Sequence, residues 1–153
     1  MNTTTIQLNP YLCFNGQCEE AFKLYERCLG GKIECIMPYE SRPADYRVPD
    51  EWRKKILHAT LKVGDQVLMG ADVLPDRYQK PQGFSMTLGL KDEAEAERIF
   101  KALAENGTVE MALQETFWAV RFGVLVDRFG ISWTVNCERP ACAEPASDQG
   151  KHA

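Results

Sequence analysis

The chain has 153 residues, with 18 Lys and Arg against 22 Asp and Glu and a formal net charge of −4. This length buries roughly two-thirds of the unfolded surface without disulfide staples, and the acidic balance offers no basic footprint for nucleic-acid phosphates. No apolar run approaches the ~20 residues of a membrane span, and MNTTTIQL lacks the charged and apolar regions of a secretion signal, so the sequence predicts a cytoplasmic protein with neither nucleic acid nor membrane as partner.

Residues 1–7 read as an extension before the first regular element. PYLCFNG is a strand, rich in aromatic and β-compatible residues and stopped at Asn15-Gly16. In CEEAFKLYERCLGG, Cys18, Ala21, Phe22, Tyr25, Cys28 and Leu29 recur at helical spacing, Glu19, Glu20, Lys23, Glu26 and Arg27 occupy the other face, and Gly30-Gly31 ends the helix. KIECIMP is extended again. The segment MPYESRPADYRVPDEWRK, residues 37–54, is a loop stiffened by its prolines; its aromatics Tyr39, Tyr46 and Trp52 suit either a lid over a cavity or a contact with a partner subunit. ILHATLKVGDQVLMGAD then forms a hairpin turned at Gly64-Asp65, with Ala59, Leu61 and Val63 alternating against His58, Thr60 and Lys62.

The same order follows once more. FSMTLGL is a strand, Asp92 and Glu95 form a capping box for EAEAERIFKALAENG, and Ala96, Ile99, Phe100 and Leu103 make one helical stripe ended by Asn106-Gly107. TVEMALQETFWA, RFGVLVD and ISWTVNC supply three strands, the last two joined across DRFG. If the first of these stays extended to its end, Glu115 and Phe117 share one face while Thr116 and Trp118 share the other, and one of those pairs looks inward. Residue identities repeat as well: EAFKLYER parallels EAERIFKA, and GKIE parallels GTVE after each helix terminator, which favours a duplicated βαβββ unit. Module one spans 8–73 and module two 84–138 of a single domain over 8–138. The tail from 139 to 153, RPACAEPASDQGKHA, is rich in Ala, Pro and polar residues with no apolar period and predicts disorder.

Six cysteines, Cys13, Cys18, Cys28, Cys35, Cys137 and Cys142, contain no C-x-x-C pair and lack nearby histidines for a zinc site. They read as small buried hydrophobes, Cys13 and Cys137 in strands and Cys28 on a helix.

With PYLCFNGQCEEAFKLY, ILHATLKVGDQVLMGAD and VEMALQETFWAVRFGVLVDRFGISW in place, the chain resembles the PhnB-like branch of the vicinal oxygen chelate superfamily, the glyoxalase, bleomycin-resistance and extradiol dioxygenase group, over roughly residues 8–138. The resemblance implies an α+β fold in which two βαβββ modules form a curled mixed sheet around a cavity with helices outside, assembled as a homodimer. It does not imply one reaction, since the fold hosts binding proteins, isomerases, transferases and dioxygenases. It also implies four positions where metal-binding relatives carry His, Glu or Gln, and these fall here on Pro10, Met69, Ser85 and Thr134. Proline has no side-chain donor, a thioether suits soft metals, and neutral hydroxyls are poor partners for a hard divalent ion, so no metal and no other cofactor is predicted.

Alternation turns Ala59, Leu61, Val63, Ile131, Trp133 and Val135 onto the helices and leaves the opposite parity for a cavity. A ligand site there would draw on Phe14, His58, Met69, Ser85, Glu115, Phe117, Trp118 and Thr134. His58 and Glu115 are the catalytic candidates: the first titrates near neutrality, the second gains basicity if desolvated. His58 is equally read as a structural histidine bonded to backbone or to Asp72, and Glu115 as a partner of a surface Arg or Lys. His152 lies in the tail.

Three functions compete. A metal-free small-molecule-binding protein of the bleomycin-resistance type needs only shape, aromatics and a few polar groups. A metal-dependent lyase or thiol transferase needs His58, Glu115 and Glu34 or Glu110 to converge. A 3-demethylubiquinone methyltransferase, a label attached to PhnB-like sequences, is disfavoured because neither NGQCEEAF nor GLKDEAEA has a glycine-rich nucleotide-binding turn.

Overall fold

The computed structural model describes residues 5–42 and 47–139. Tyr46, Cys142, His152 and the tail expectation beyond Arg139 lie outside the described residues. The chain divides at Gln79/Lys80 into two compact units.

The first unit is β1(Tyr11–Phe14), α1(Cys18–Leu29), β2(Lys32–Pro38), β3(Ile56–Val63) and β4(Gln66–Asp72). Its sheet runs β1-β4-β3-β2, with β1 parallel to β4 and the remaining pairs antiparallel. The second unit repeats this with β5(Met86–Leu90), α2(Glu93–Ala104), β6(Thr108–Gln114), β7(Ala119–Val126) and β8(Ser132–Glu138), in the order β5-β8-β7-β6 with β5 parallel to β8. The duplicated βαβββ reading therefore extends from sequence to strand order and direction. Among the described residues no helix is long and apolar enough to cross a membrane.

Each helix lies on one face of its own sheet. A Cβ on Gly70 would stand 2.8 Å from the Phe22 ring, and one on Gly123 would stand 2.7 Å from the Phe100 ring, so each helix seats an aromatic where a strand has no side chain. Gly70 pairs with both Leu12 and Ala59, and Gly123 pairs with Val135, which fixes the helix-facing parity in both sheets. Leu12, Ala59, Leu61, Leu125, Trp133 and Val135 are accordingly buried.

The GKIE and GTVE repeat has a packing reason. Gly30 takes the left-handed conformation that ends α1, with φ of 72°, and Asn106 takes it in the turn that follows α2, with φ of 62°. Gly31 then passes so close to β3 that a Cβ would stand 2.6 Å from the Lys62 carbonyl oxygen, and Gly107 meets the Val126 carbonyl likewise. In both edge strands the register shifts just after, between Ile33 and Cys35 and between Val109 and Met111, and such bulges blunt an edge against strand addition.

The modules differ in how they cap their helices. Gln17 gives α1 no side-chain cap. Asp72, from the far end of β4 and 1% exposed, does so instead: its Oδ1 accepts from Gly16 N (2.8 Å) and Cys18 N (2.9 Å), and its Oδ2 accepts from Ile56 N (2.9 Å). The Tyr39 hydroxyl donates to the Asp72 carbonyl at 2.6 Å. One buried carboxylate thus ties β1's exit, the helix start and the start of β3 to β4, with charge-assisted bonds at the positive end of the helix. In module two the cap is local, Asp92 Oδ1 accepting from Ala94 N at 3.1 Å.

Two expectations are corrected here. There is no capping box at α2, because Glu95 turns to Arg98 one turn on in a two-pronged bond at 2.8 Å, which also holds its carboxyl below the ordinary carboxylate value. The strand expected to run to Ala119 stops at Gln114, and residues 115–118 form a connection in which Thr116 N donates to the Ala119 carbonyl and Ala119 N to Thr116 Oγ1. The aromatics Tyr39 and Trp52 of segment 37–54, each 8% exposed, lie in the core of their own module.

Removing the long-range cap strands three amides, whereas removing the local one strands an exposed amide. Asp72→Ala is expected to lower the unfolding free energy by roughly 3 kcal/mol or more and Asp92→Ala by about 1 kcal/mol, measured by urea denaturation.

Candidate functional site

The sheet face that each module's own helix does not cover gathers the remaining chemistry. In module one the register sets Tyr11, Met69 and Thr60 side by side across three strands, with Met37 opposite His58 nearer the loop end. His58 Nε2 lies 3.1 Å from Thr60 Oγ1, and its ring stands 6.0 Å from that of Tyr11 at a tilt of 35°. It is bonded neither to backbone nor to Asp72. Burial pushes the Tyr11 hydroxyl and the Cys13 thiol up from their ordinary values, so both remain neutral and the thiol is a poor nucleophile near neutrality.

In module two, Ser85 Oγ lies 2.8 Å from Thr134 Oγ1 and 3.4 Å from the Ser132 carbonyl oxygen. Thr87, Thr134 and Val124 form one row across this face, and Gly89, Asn136 and Phe122 the next. The second row runs into an aromatic ladder: Trp118 stands edge-on to Phe122 at 5.2 Å, and Phe117 edge-on to Trp118 at 4.7 Å. Phe117 is 89% exposed and Trp118 47%, unusual solvent exposure for side chains of this size. The connection carrying them is held at its base, where Arg139 bonds both Glu115 Oε2 at 3.0 Å and the Thr116 carbonyl at 2.8 Å.

The residues singled out from sequence fall in both modules. Met69 and Pro10 lie together, joined by a backbone bond from Met69 N to the Pro10 carbonyl at 3.1 Å. Ser85 and Thr134 bond one another. His58 stands on the helix-free face of module one, while Phe117, Trp118 and Glu115 stand on the connection at the edge of module two. Phe14 is elsewhere: 1% exposed and edge-on to Phe22 at 6.1 Å, it belongs to the helix-facing core, since Tyr11 and Cys13 take the other parity of that strand. Glu34 and Glu110, the alternative metal-binding carboxylates, are exposed residues at the bulges of the two edge strands.

Among the described residues no three His, Cys, Asp or Glu side chains are grouped so as to hold a metal. The donor set at Pro10, Met69, Ser85 and Thr134 does not fit a hard divalent ion, because it contains no carboxylate or imidazole and its two hydroxyls are bonded to each other. At the start of α1, the amides of Gly16 and Cys18 are already taken by Asp72. Sequence reading missed Asn136 and Phe122; the ISWTVNC pattern placed Asn136 on the cavity parity, but nothing in it signalled that its side-chain oxygen lacks a partner.

Comparison with known proteins agrees with this architecture. Residues 6–136 match the family described as 3-demethylubiquinone-9 3-methyltransferase. Protein YjdN of Escherichia coli is 34% identical over 140 residues, which cover 84% of this chain and 93% of that protein. The crystal structure of protein PA1353 from Pseudomonas aeruginosa is 47% identical, covers 89% of this chain and 100% of its own, and superposes with a TM-score of 0.81. A Bacillus cereus protein described as a 3-demethylubiquinone-9 3-methyltransferase, PhnB protein, is 25% identical over 86% of this chain and 99% of its own, with a TM-score of 0.74. A glyoxylase/bleomycin resistance protein/dioxygenase domain from Frankia, 10% identical over 91% of this chain and 100% of its own, shares the fold at a TM-score of 0.58.

Exposure separates the aromatics by role. Phe117→Ala is expected to change the unfolding free energy by less than about 0.5 kcal/mol. Trp133→Phe, which removes the 2.9 Å bond from the buried indole to Asp127, is expected to cost about 1–3 kcal/mol in the same denaturation series.

Proposed function

The chain belongs to the PhnB-like family described as 3-demethylubiquinone-9 3-methyltransferase, within the glyoxalase/bleomycin-resistance fold group, and we propose that it is a metal-free small-molecule-binding protein. Its ligand rests on the helix-free sheet faces. The observation that carries this reading is the pairing of Ser85 and Thr134 hydroxyls, 2.8 Å apart, beside the Phe122, Trp118 and Phe117 ladder. Where metal-binding relatives place charged or imidazole donors, these side chains supply weak hydrogen-bonding groups, and the aromatics supply apolar contact area. Few polar groups among aromatics is the composition of a pocket that orients a molecule by shape.

The same observation bears on the alternatives. A metal-dependent lyase or thiol transferase would require His58 and Glu115 to act together, and each already has a partner within its own module, Thr60 and Arg139 respectively. The family's descriptive name refers to methyl transfer, and no methyl-transfer step is derived from it: the strand-to-helix turn at Asn15-Gly16 spends its amides on Asp72. We further propose that the working form is a homodimer, in line with the exposed Val109 and Met111 on edge strand β6.

A thermal-shift screen of neutral aromatic compounds tests the reading. The expected result is a saturable rise in melting temperature without added metal, with the compound recovered chemically unchanged by mass spectrometry. A rise that depends on added divalent metal, or conversion of the compound, would contradict it.

A further inference from the structure

Resting on the ligand-binding reading above, we propose that Asn136 is the specificity-determining residue of module two and that it selects a planar aromatic ligand carrying an N–H donor, such as an aromatic carboxamide. The Asn136 side-chain oxygen is buried and accepts no hydrogen bond within the described structure. A buried acceptor without a donor is uncommon and costly, and at a candidate site it marks where a ligand donor belongs.

Its neighbours define the rest of the ligand. On one side Phe122 is its direct partner on β7, so the two side chains share a face, and the Phe122 ring continues into Trp118 at 5.2 Å and Phe117 at 4.7 Å. That arrangement gives a flat ring an aromatic wall with edges and faces at the spacing aromatic groups prefer. On the other side Asn136 pairs with Gly89, which leaves its place beside the asparagine without a side chain. The atom nearest to where a Gly89 Cβ would stand is Glu138 Oε2, at 3.3 Å.

Charge settles which donor fits. Glu138 borders the site, so an anionic group would meet its carboxylate, while Glu115 at the base of the aromatic connection is already paired with Arg139. An amide N–H can be given to Asn136, with Glu138 beside the slot as a second acceptor. A carboxylate of the same shape has nothing to donate and is repelled.

The test uses benzamide and acetophenone, which share ring and carbonyl and differ in the donor, titrated into isotopically labelled full-length protein and followed by NMR. Benzamide is expected to shift the Asn136 side-chain amide and the Trp118 indole signals and to bind about tenfold more tightly than acetophenone, a difference that Asn136→Leu abolishes. Asn136→Asp, which retains an acceptor in case the leucine variant fails to fold, is expected to keep the preference. Equal binding of both probes to the wild type, or a preference that survives Asn136→Leu, would overturn the assignment while leaving the broader ligand-binding reading intact. Benzamide that leaves both the Asn136 and Trp118 signals unmoved would also overturn it, and the thermal-shift screen then decides separately whether the wider reading stands.

Discussion

Each module has one helix and one sheet, and the helix can cover only one face. That asymmetry decides everything that follows. Phe22 occupies the space above Gly70, and Phe100 that above Gly123, so the sheet parity that packs against each helix is fixed by a steric fit that any larger residue at the glycine would break. The opposite parity is thereby released from core packing. It carries hydroxyls, a thioether, a histidine and half-exposed aromatics, residue types that a core would exclude and a binding face can use.

The two modules reach the same topology by different local chemistry. Both follow their helix with a left-handed residue and then a glycine pressed against a strand carbonyl, and both bulge their edge strand at the equivalent place. They diverge at the helix start, where module one commits a buried carboxylate from β4 and module two uses an adjacent, exposed aspartate. Module two has its own buried carboxylate at the β7–β8 turn, where Asp127 accepts from Phe129 N, Ile131 N and the Trp133 indole. The backbone requirements are shared and the side-chain solutions differ, and among the described residues each module holds one buried aspartate in a different place.

Much of this fold can be read in the sequence because its causes are local. The helical stripe of Ala96, Ile99, Phe100 and Leu103 and the alternation of Ala59 and Leu61 against His58 and Thr60 follow from periods of 3.6 and 2. What could not be read has causes distant in sequence. Asp72 caps a helix 54 residues earlier, which no local pattern announces. The extended reading of residues 115–118 fails because Arg139, 23 residues on, and the Thr116–Ala119 bonds fold that stretch into a tight connection. Phe14 looked available as an aromatic after a short strand, but the register Leu12 to Gly70 assigns its parity to the helix side. Asn136 had the right parity and no other mark, because a missing partner is a property of three-dimensional surroundings.

The account makes the helix-free faces a place for an organic molecule and gives the four family metal positions no suitable donors. Elemental mass spectrometry of the untagged protein, after incubation with manganese, nickel, zinc and iron(II) salts and removal of the excess, measures that claim directly. The account predicts only trace metal, far below one ion per chain. Stoichiometric retention of any one of these ions would contradict it and would place a donor set where Pro10, Met69, Ser85 and Thr134 offer none.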